Sequence, residues 1–344
     1  MARRHEVVNR PPLCGKHGLV DVRLITTAGV QRRAQQEIPA LLDGAGLVWV
    51  DVKYWDSETA TFLTRCLGLH RRAVHDCTTG SPVPKVHVYA GHVFVVLHGP
   101  EAGAGGHVHH IELNQFIGPN WLLTVHGRME DEVTLDAAYV ETTSLARKLE
   151  SGRLRPIRPH ELSGALVTTL IGRMRDHLVT LSHEVDELET EVTAGRLGDP
   201  EEFLEEMFAV RHGLLAVETM AASSREVYGR WARLAAPGDD GTAQLADLED
   251  QFRRLAAMTG TQREYLHGVI EFYQTRTGTK MAIAAERLAV IAAVTLPITA
   301  LSSVLGMNVI VSTRTHVVSV VVLLAVMAAM SAALLFWSKR KGWW

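Results

Sequence analysis

The sequence predicts an α+β cytoplasmic domain of α/β/α sandwich type, followed by a long stalk helix and two C-terminal transmembrane helices. Three observations carry this reading. Two apolar stretches, Leu288–Met307 and Val317–Trp337, lie near the C-terminal end without a single charge, and each is close to the ~20 residues a helix needs to cross ~30 Å of hydrocarbon. Short, β-branched runs bounded by Gly or Pro occupy the chain up to Val125. After Asp131 an apolar repeat of three to four residues takes over and persists to the first span.

The runs Leu19–Thr26, Leu47–Val52, Val83–Tyr89, His92–Leu97, Val108–Ile117 and Trp121–Val125 have the strand signature. Gln31–Leu42 and Ser57–Leu67 have helical spacing. Because the later strands follow one another closely, with no room for crossover helices, the sheet is expected to be mixed rather than purely parallel.

In the helical part, Leu162, Leu166, Leu170, Met174, Leu178, Leu181, Val185, Leu188 and Val192 form one apolar stripe. Its far end carries Glu184, Asp186, Glu187, Glu189 and Glu191. Residues Gly195–Pro200 break the helix, and Glu201, Glu202, Glu205 and Glu206 open the next, where acids offset the helix dipole. The product is a helical hairpin with an acidic tip. After Pro237-Gly238 a third helix begins, with Leu245, Leu248, Phe252, Leu255, Leu266 and Val269 on one seam, interrupted by Thr259 and Gln262. Nothing stops it before the membrane. A helix from Asp239 to Met307 would be roughly 100 Å long and needs neighbours along its length, which suggests several identical subunits. The expected division is therefore residues 1–130 (α/β domain), 131–237 (helices with the acidic hairpin), 238–307 (stalk and first span), 308–316 (outer loop), 317–337 (second span) and 338–344 (basic tail).

Charge orients the chain. Lys339, Arg340 and Lys341 follow the second span and belong in the cytoplasm by the positive-inside rule, so two spans put the N-terminal bulk there too. Trp337, Trp343 and Trp344 read as interfacial anchors. The basic start Met1–Arg10 leads into Pro11 and Pro12 and not into an apolar run, so it does not read as a secretory signal. A net charge of -3 excludes the electrostatic footprint of a nucleic-acid binder. Cys14, Cys66 and Cys77 lack metal-ligand spacing and read as reduced, buried or idle thiols. No catalytic residue is assigned and no enzyme activity expected.

Within the first span Thr295, Thr299, Ser302 and Ser303 share a face. Hydroxyls so placed serve either close helix packing or a wet path. At the outer end lies Gly306-Met307-Asn308. In a ring of identical subunits the Asn308 amides would converge on a channel mouth, and neutral oxygens touching a hydrated ion avoid the large cost of stripping water from Mg2+. Alternatively, Gly306 and Asn308 merely end a helix.

At this point the chain resembles the CorA family of divalent-cation channels, which carry Gly-Met-Asn at the outer end of the first of two C-terminal spans, then a short loop and a basic, Trp-containing tail. The resemblance extends through the soluble part. Val48–Val52 is similar to the family's Trp-Ile-Asp strand, and Gly68-Leu69-His70 with Val74-His75-Asp76 to its Gly-Leu-His-Pro-Leu…Asp segment. Val83-Pro84-Lys85-Val86, Tyr89 and Phe94–Leu97 resemble its Arg-Pro-Lys-Val strand pair, and Gln115-Phe116 with Thr124-Val125-His126 its later strands.

The resemblance implies a homopentamer in the lipid membrane that conducts Mg2+, with Co2+ and Ni2+ as further cargo, driven by the electrochemical gradient; no nucleotide loop of the Gly-x-x-x-x-Gly-Lys type occurs. It implies a selectivity filter at Gly306, Met307 and Asn308. Glu271, Leu288, Leu296, Thr299 and Ser303 would line or gate the pore, and Asp76 with Asp247 of a neighbouring subunit would hold a regulatory Mg2+. Some positions depart from the pattern. Leu305 replaces an aromatic residue, Ala282…Ala285-Glu286 replaces Asn…Met-Lys, and the loop Val309–His316 carries Arg314 and His316 with no acid. Two other readings stay open: a Zn2+, Co2+ or Ni2+ transporter of the ZntB-like branch, or a non-conducting membrane-anchored metal sensor. Outside the resemblance stand His98, His107, His109 and His110. Imidazoles suit Zn2+, Ni2+ or Co2+, but strand alternation puts His109 and His110 on opposite faces.

Overall fold

The computed structural model describes residues 20–130, 132–195, 199–235, 241–306 and 317–340. Seven strands form one sheet: β1 (Val20–Thr26), β2 (Gly29–Arg33), β3 (Leu47–Val52), β4 (Lys85–Val88), β5 (Val93–Ala102), β6 (Val108–Ile117) and β7 (Trp121–His126). Their order is β2-β1-β3-β7-β6-β5-β4. Every neighbouring pair is antiparallel except β3 and β7, which run parallel with Val50 opposite Leu123. The sheet is mixed, and the fold is α+β.

Strand alternation sorts the two faces. Val48, Val50 and Val52 of β3 join Leu123 and Val125 of β7, and Phe94, Val96 and Phe116, in one buried cluster. Against it pack α1 (Ile38–Leu42), α2 (Ser57–Leu67) and α3 (Arg71–Thr79) through Ile38, Leu63, Leu67, Ala73 and Cys77. Asp56 caps α2, its carboxylate accepting from the Thr59 N–H at 2.7 Å, and Gly68 ends it in the left-handed conformation at φ 65°. The opposite face receives α5 (Val140–Glu150), α6 (Pro159–Ala194) and α7 (Pro200–Leu234). A short turn of helix, α4 (Leu135–Ala138), precedes them.

One helical expectation fails. Gln31–Arg33 belong to β2, a 3-10 turn follows at Gln35–Glu37, and only Ile38–Leu42 are α-helical. Pro39 explains this: tolerated in the first turn of α1, it would have broken the interior of a helix from 31 to 42. Gly29 at φ 133° allows the chain to fold back so that β2 satisfies the backbone groups of β1. Arg71–Thr79 forms a helix that apolar spacing does not announce, with only Ala73 and Cys77 buried.

On α6 all nine residues of the predicted stripe are buried; a truncation such as Leu170→Ala would cost about 2–5 kcal/mol. The helix ends at Gly195 in the left-handed conformation, and Asp199 caps α7 by accepting from the Glu201 N–H at 2.9 Å. Arg173 of α6 is a largely buried junction. Its guanidinium donates to Glu141 of α5 at 3.0 and 3.2 Å, to Glu101 of β5 at 2.7 Å and to the Ala137 carbonyl at 2.9 Å.

A second polar cluster lies under α5. Asp51 of β3 accepts from Thr124 at 2.6 Å and from His126 at 3.1 Å on β7, and Thr142 of α5 is 3.2 Å from the same imidazole. Burial alone would raise the Asp51 carboxyl, but His126, the Thr124 hydroxyl and Lys53 outweigh it and hold it below the usual carboxylate range.

Helix α8 runs without a break from Thr242 to Gly306, and α9 covers Val317–Arg340. The chain separates into a compact unit ending at His267 and another starting at Gly268. In the first, Leu245, Leu248, Phe252, Leu255 and Leu266 of α8 are buried, and Tyr228 of α7 stacks on Phe252 at 5.7 Å. In the second, among the described residues, the α8 segment is the one long and apolar enough to cross a membrane.

Candidate functional site

The candidate ion path is a face of α8. At about 100° per residue, Glu271, Leu288, Leu296, Thr299 and Ser303 fall within an arc of about 100°. All five are exposed in the single chain. Arg276, Lys280 and Arg287, which are all the basic residues between 268 and 303, crowd into an arc of about 40° on the far side. The face is thus free of positive charge over its whole length and holds one carboxylate, Glu271. A cation moving along it meets attraction or neutrality, never repulsion.

The two threonine hydroxyls of the span are satisfied locally. Thr295 donates to the Ile291 carbonyl at 2.9 Å and Thr299 to the Thr295 carbonyl at 2.8 Å. Each oxygen keeps lone pairs that can accept from water, so Thr299 can stay polar toward an open path without a partner helix. Val290, on the other side of α8, is buried, whereas Leu288 and Leu296 each keep 66% of their surface exposed. Apolar side chains so exposed are covered by lipid or by another subunit. Gly306 is the last helical residue. Met307, Asn308, the loop residues 309–316 with Arg314 and His316, and Cys14 lie outside the described residues.

The two acids expected to hold a regulatory ion occupy different elements, Asp76 on α3 and Asp247 on α8. Asp76 is not an idle surface acid: Lys85 of β4 reaches it at 2.8 Å. Asp247 is exposed and accepts from Gln251, one turn on, at 2.7 Å. The sequence gives no sign that Lys85 pairs with Asp76, since β4 and α3 meet only in the folded chain. Cys77 is buried, and burial, then Glu112 and Asp76, push its thiol well above the ordinary range, in keeping with an inert sulfur.

The four histidines form two pairs. His98 and His110 lie together, ring centres 6.0 Å apart, and His107 and His109 lie together at 4.7 Å. His98 donates from Nε2 to the Ser81 carbonyl at 2.8 Å, and burial pushes its pKa down to about 4. The carboxylate that joins the second pair, Glu130, had no signal in the sequence, being 21 residues from His109.

Comparison with known proteins gives these features a family. The chain matches the model described as "CorA-like Mg2+ transporter protein" over residues 44–340. It is 22% identical over 303 residues to YfjQ of Bacillus subtilis (strain 168), named as a metal ion transporter, covering 86% of this chain and 89% of that one. The complete CorA magnesium transporter structure from Methanocaldococcus jannaschii superposes with a TM-score of 0.78 at 16% identity, covering 95% and 99% of the two chains. Full-length CmaX superposes at 0.73 with 18% identity, covering 96% and 99%. At these identities the structures speak for the fold, while the family match spans most of the sequence. The chain therefore belongs to the CorA-like Mg2+ transporter family, a family of membrane proteins that move divalent metal ions.

Proposed function

We propose that this protein is a channel for divalent cations, chiefly Mg2+, carrying them into the cell down the electrochemical gradient. The observation that carries the proposal is the face of α8, which holds Glu271, Leu288, Leu296, Thr299 and Ser303 and excludes every basic residue of that segment. Around the axis of a homopentamer, five such faces line one path. Glu271 rings the inner part and concentrates cations; Leu288 and Leu296 close it by dewetting; Thr299 and Ser303 offer oxygens to a hydrated ion.

At the outer end Gly306, Met307 and Asn308 form the filter. Asn308 amides touch the ion through its water shell, so Mg2+ passes without paying for full dehydration. The protein sits in the cell membrane with two spans and both termini in the cytoplasm, as Lys339, Arg340 and Lys341 require. Asp76 of one subunit and Asp247 of the next hold a regulatory Mg2+ when the ion is plentiful inside, which cancels their repulsion and locks the closed assembly.

The test is uptake into vesicles reconstituted with the full chain, measured for Mg2+, Co2+, Ni2+ and Zn2+ in parallel. Mg2+ entry that follows the membrane potential supports the channel. Entry of Zn2+, Co2+ or Ni2+ without Mg2+ assigns the protein to transition-metal transport, and no entry of any ion leaves a membrane-bound sensor.

A further inference from the structure

We propose that His107, His109 and Glu130 form a binding site for a divalent transition-metal ion of the Zn2+, Co2+ and Ni2+ class, separate from the ion path. One ligand atom from each lies within 4.8 Å of the others. Donor atoms around a tetrahedral ion of this class sit about 3.4 Å apart, so ordinary side-chain adjustment closes the set. Two imidazoles and a carboxylate form the three-ligand kit of an open zinc-type site. Mg2+, a hard ion that prefers oxygens and its own water, is a poor match for it.

The second observation is the state of His109. It is 4% exposed, and its Nδ1 lies against the Glu130 carboxylate. Among the described residues its Nε2 is buried with no hydrogen-bond partner, and the Glu132 carboxylate stands 3.4 Å away. A neutral imidazole has one N–H to give. Carboxylates thus face both ring nitrogens, and a cation bound beside His109 would offset that gathered negative charge. The turn is shaped around this ring: a Cβ on Gly103 would come within 2.6 Å of Nε2. Gly105 and Gly106, at φ 61° and 76°, then bring His107 back over it.

The site has an approach. His107 lines a cleft of about 530 Å³ whose far walls, on α6 and α7, carry His177, Glu184, Glu187, Glu191 and Glu206. Burial and then the neighbouring Glu187 and Glu206 raise the Glu184 carboxyl, which marks a pocket of crowded negative charge. Such a cleft draws cations toward His107.

The full chain, purified without a histidine tag and stripped by chelator, is titrated with Co2+ and followed by its visible d–d absorption. The expected result is a band that saturates near one ion per chain, is displaced by Zn2+ and is indifferent to millimolar Mg2+. His107→Gln and Glu130→Gln, both at exposed positions, should each weaken Co2+ binding about tenfold or more. Absence of the band in the unaltered chain overturns the proposal and leaves His109 to ordinary ion pairs with Glu130 and Glu132. A band unchanged in both variants also overturns it, because the ion then sits on other histidines. The readout is binding alone, so a chain that fails to transport any ion can still pass, and a transporting chain can still fail.

Discussion

The Lys85 ammonium lies 2.8 Å from the Asp76 carboxylate, with both side chains about three-quarters buried. On the proposed reading, an ion entering between Asp76 and a neighbouring subunit's Asp247 would compete with a cation the protein supplies itself, and Lys85 would set the threshold of the switch. A partly exposed pair of this kind is worth about 0.2–1 kcal/mol, so Lys85→Met should lower the Mg2+ concentration that protects the protein from protease by a factor of about 1.4 to 5. The double variant Asp76→Ala, Asp247→Ala should lose the protection. An unchanged midpoint in Lys85→Met together with full protection in the double variant would place sensing elsewhere, with the acidic tip of α6 and α7 the next site to test.

If the proposed filter holds, Asn308→Ala should cut divalent uptake at least tenfold while the oligomer keeps its size, because the substitution removes the oxygens proposed to meet the hydrated ion. Uptake and oligomer size are read from one preparation. Unaltered uptake would return Asn308 to the role of a helix terminator.

Five copies of Arg314 would surround the outer mouth with positive charge. Capture of cations should be slowed most at low ionic strength, since at ~0.15 M screening acts over ~8 Å. Arg314→Glu should speed uptake at subsaturating Mg2+ and flatten or reverse its salt dependence. Uptake indifferent to the reversal would mean that the side chain points away from the path.

His98 gives the unit ending at His267 an acid limit. Its pKa of about 4 in the folded chain is below the ordinary 6.5, so the unfolded chain takes up this proton first as pH falls. The stabilisation is whole above pH 6.5 and is lost as pH falls to 4, amounting to about 3 kcal/mol at most. Asp51, held below 3.8, adds its loss only at more acid pH. Urea midpoints at pH 7, 5.5 and 4.5 should fall steadily, and His98→Gln should flatten that slope. A slope the substitution leaves untouched would assign the loss to other groups.

Where local chemistry decides structure, the chain was readable. Leu47–Val52 and Val108–Ile117 form strands with the bounds that Gly46 and the glycine-rich turn before Val108 suggest, and the stripe from Leu162 to Val192 is buried at each predicted position. The acidic tip and its break at Gly195 were equally visible. Where structure depends on what meets across the fold, the chain was silent. Nothing in the spacing of Gln31–Arg33 tells that β1 needs an edge partner there, and nothing near Asp76 names Lys85. The His107, His109 and Glu130 group needed a strand, a turn and a loop to converge, which no periodicity encodes. For the pore face the case lies between: Thr299 and Ser303 share a face by spacing alone, while the exclusion of Arg276, Lys280 and Arg287 from it acquires meaning once α8 is unbroken.

Arg173 makes a strut of α6. Glu191, near the acidic tip, is eighteen residues further along the same helix, about 27 Å away. A tug on the tip by a cation or a neighbouring subunit travels down that rod and arrives at one guanidinium that grips β5, α4 and α5 together. The sheet then follows the helix as a single piece, with no slack between them to absorb the displacement. Lysine, with one nitrogen in place of a planar fork, would keep the charge and loosen the grip, leaving α6 tied to the strands through its buried apolar stripe and the Ser163–Gln115 hydrogen bond.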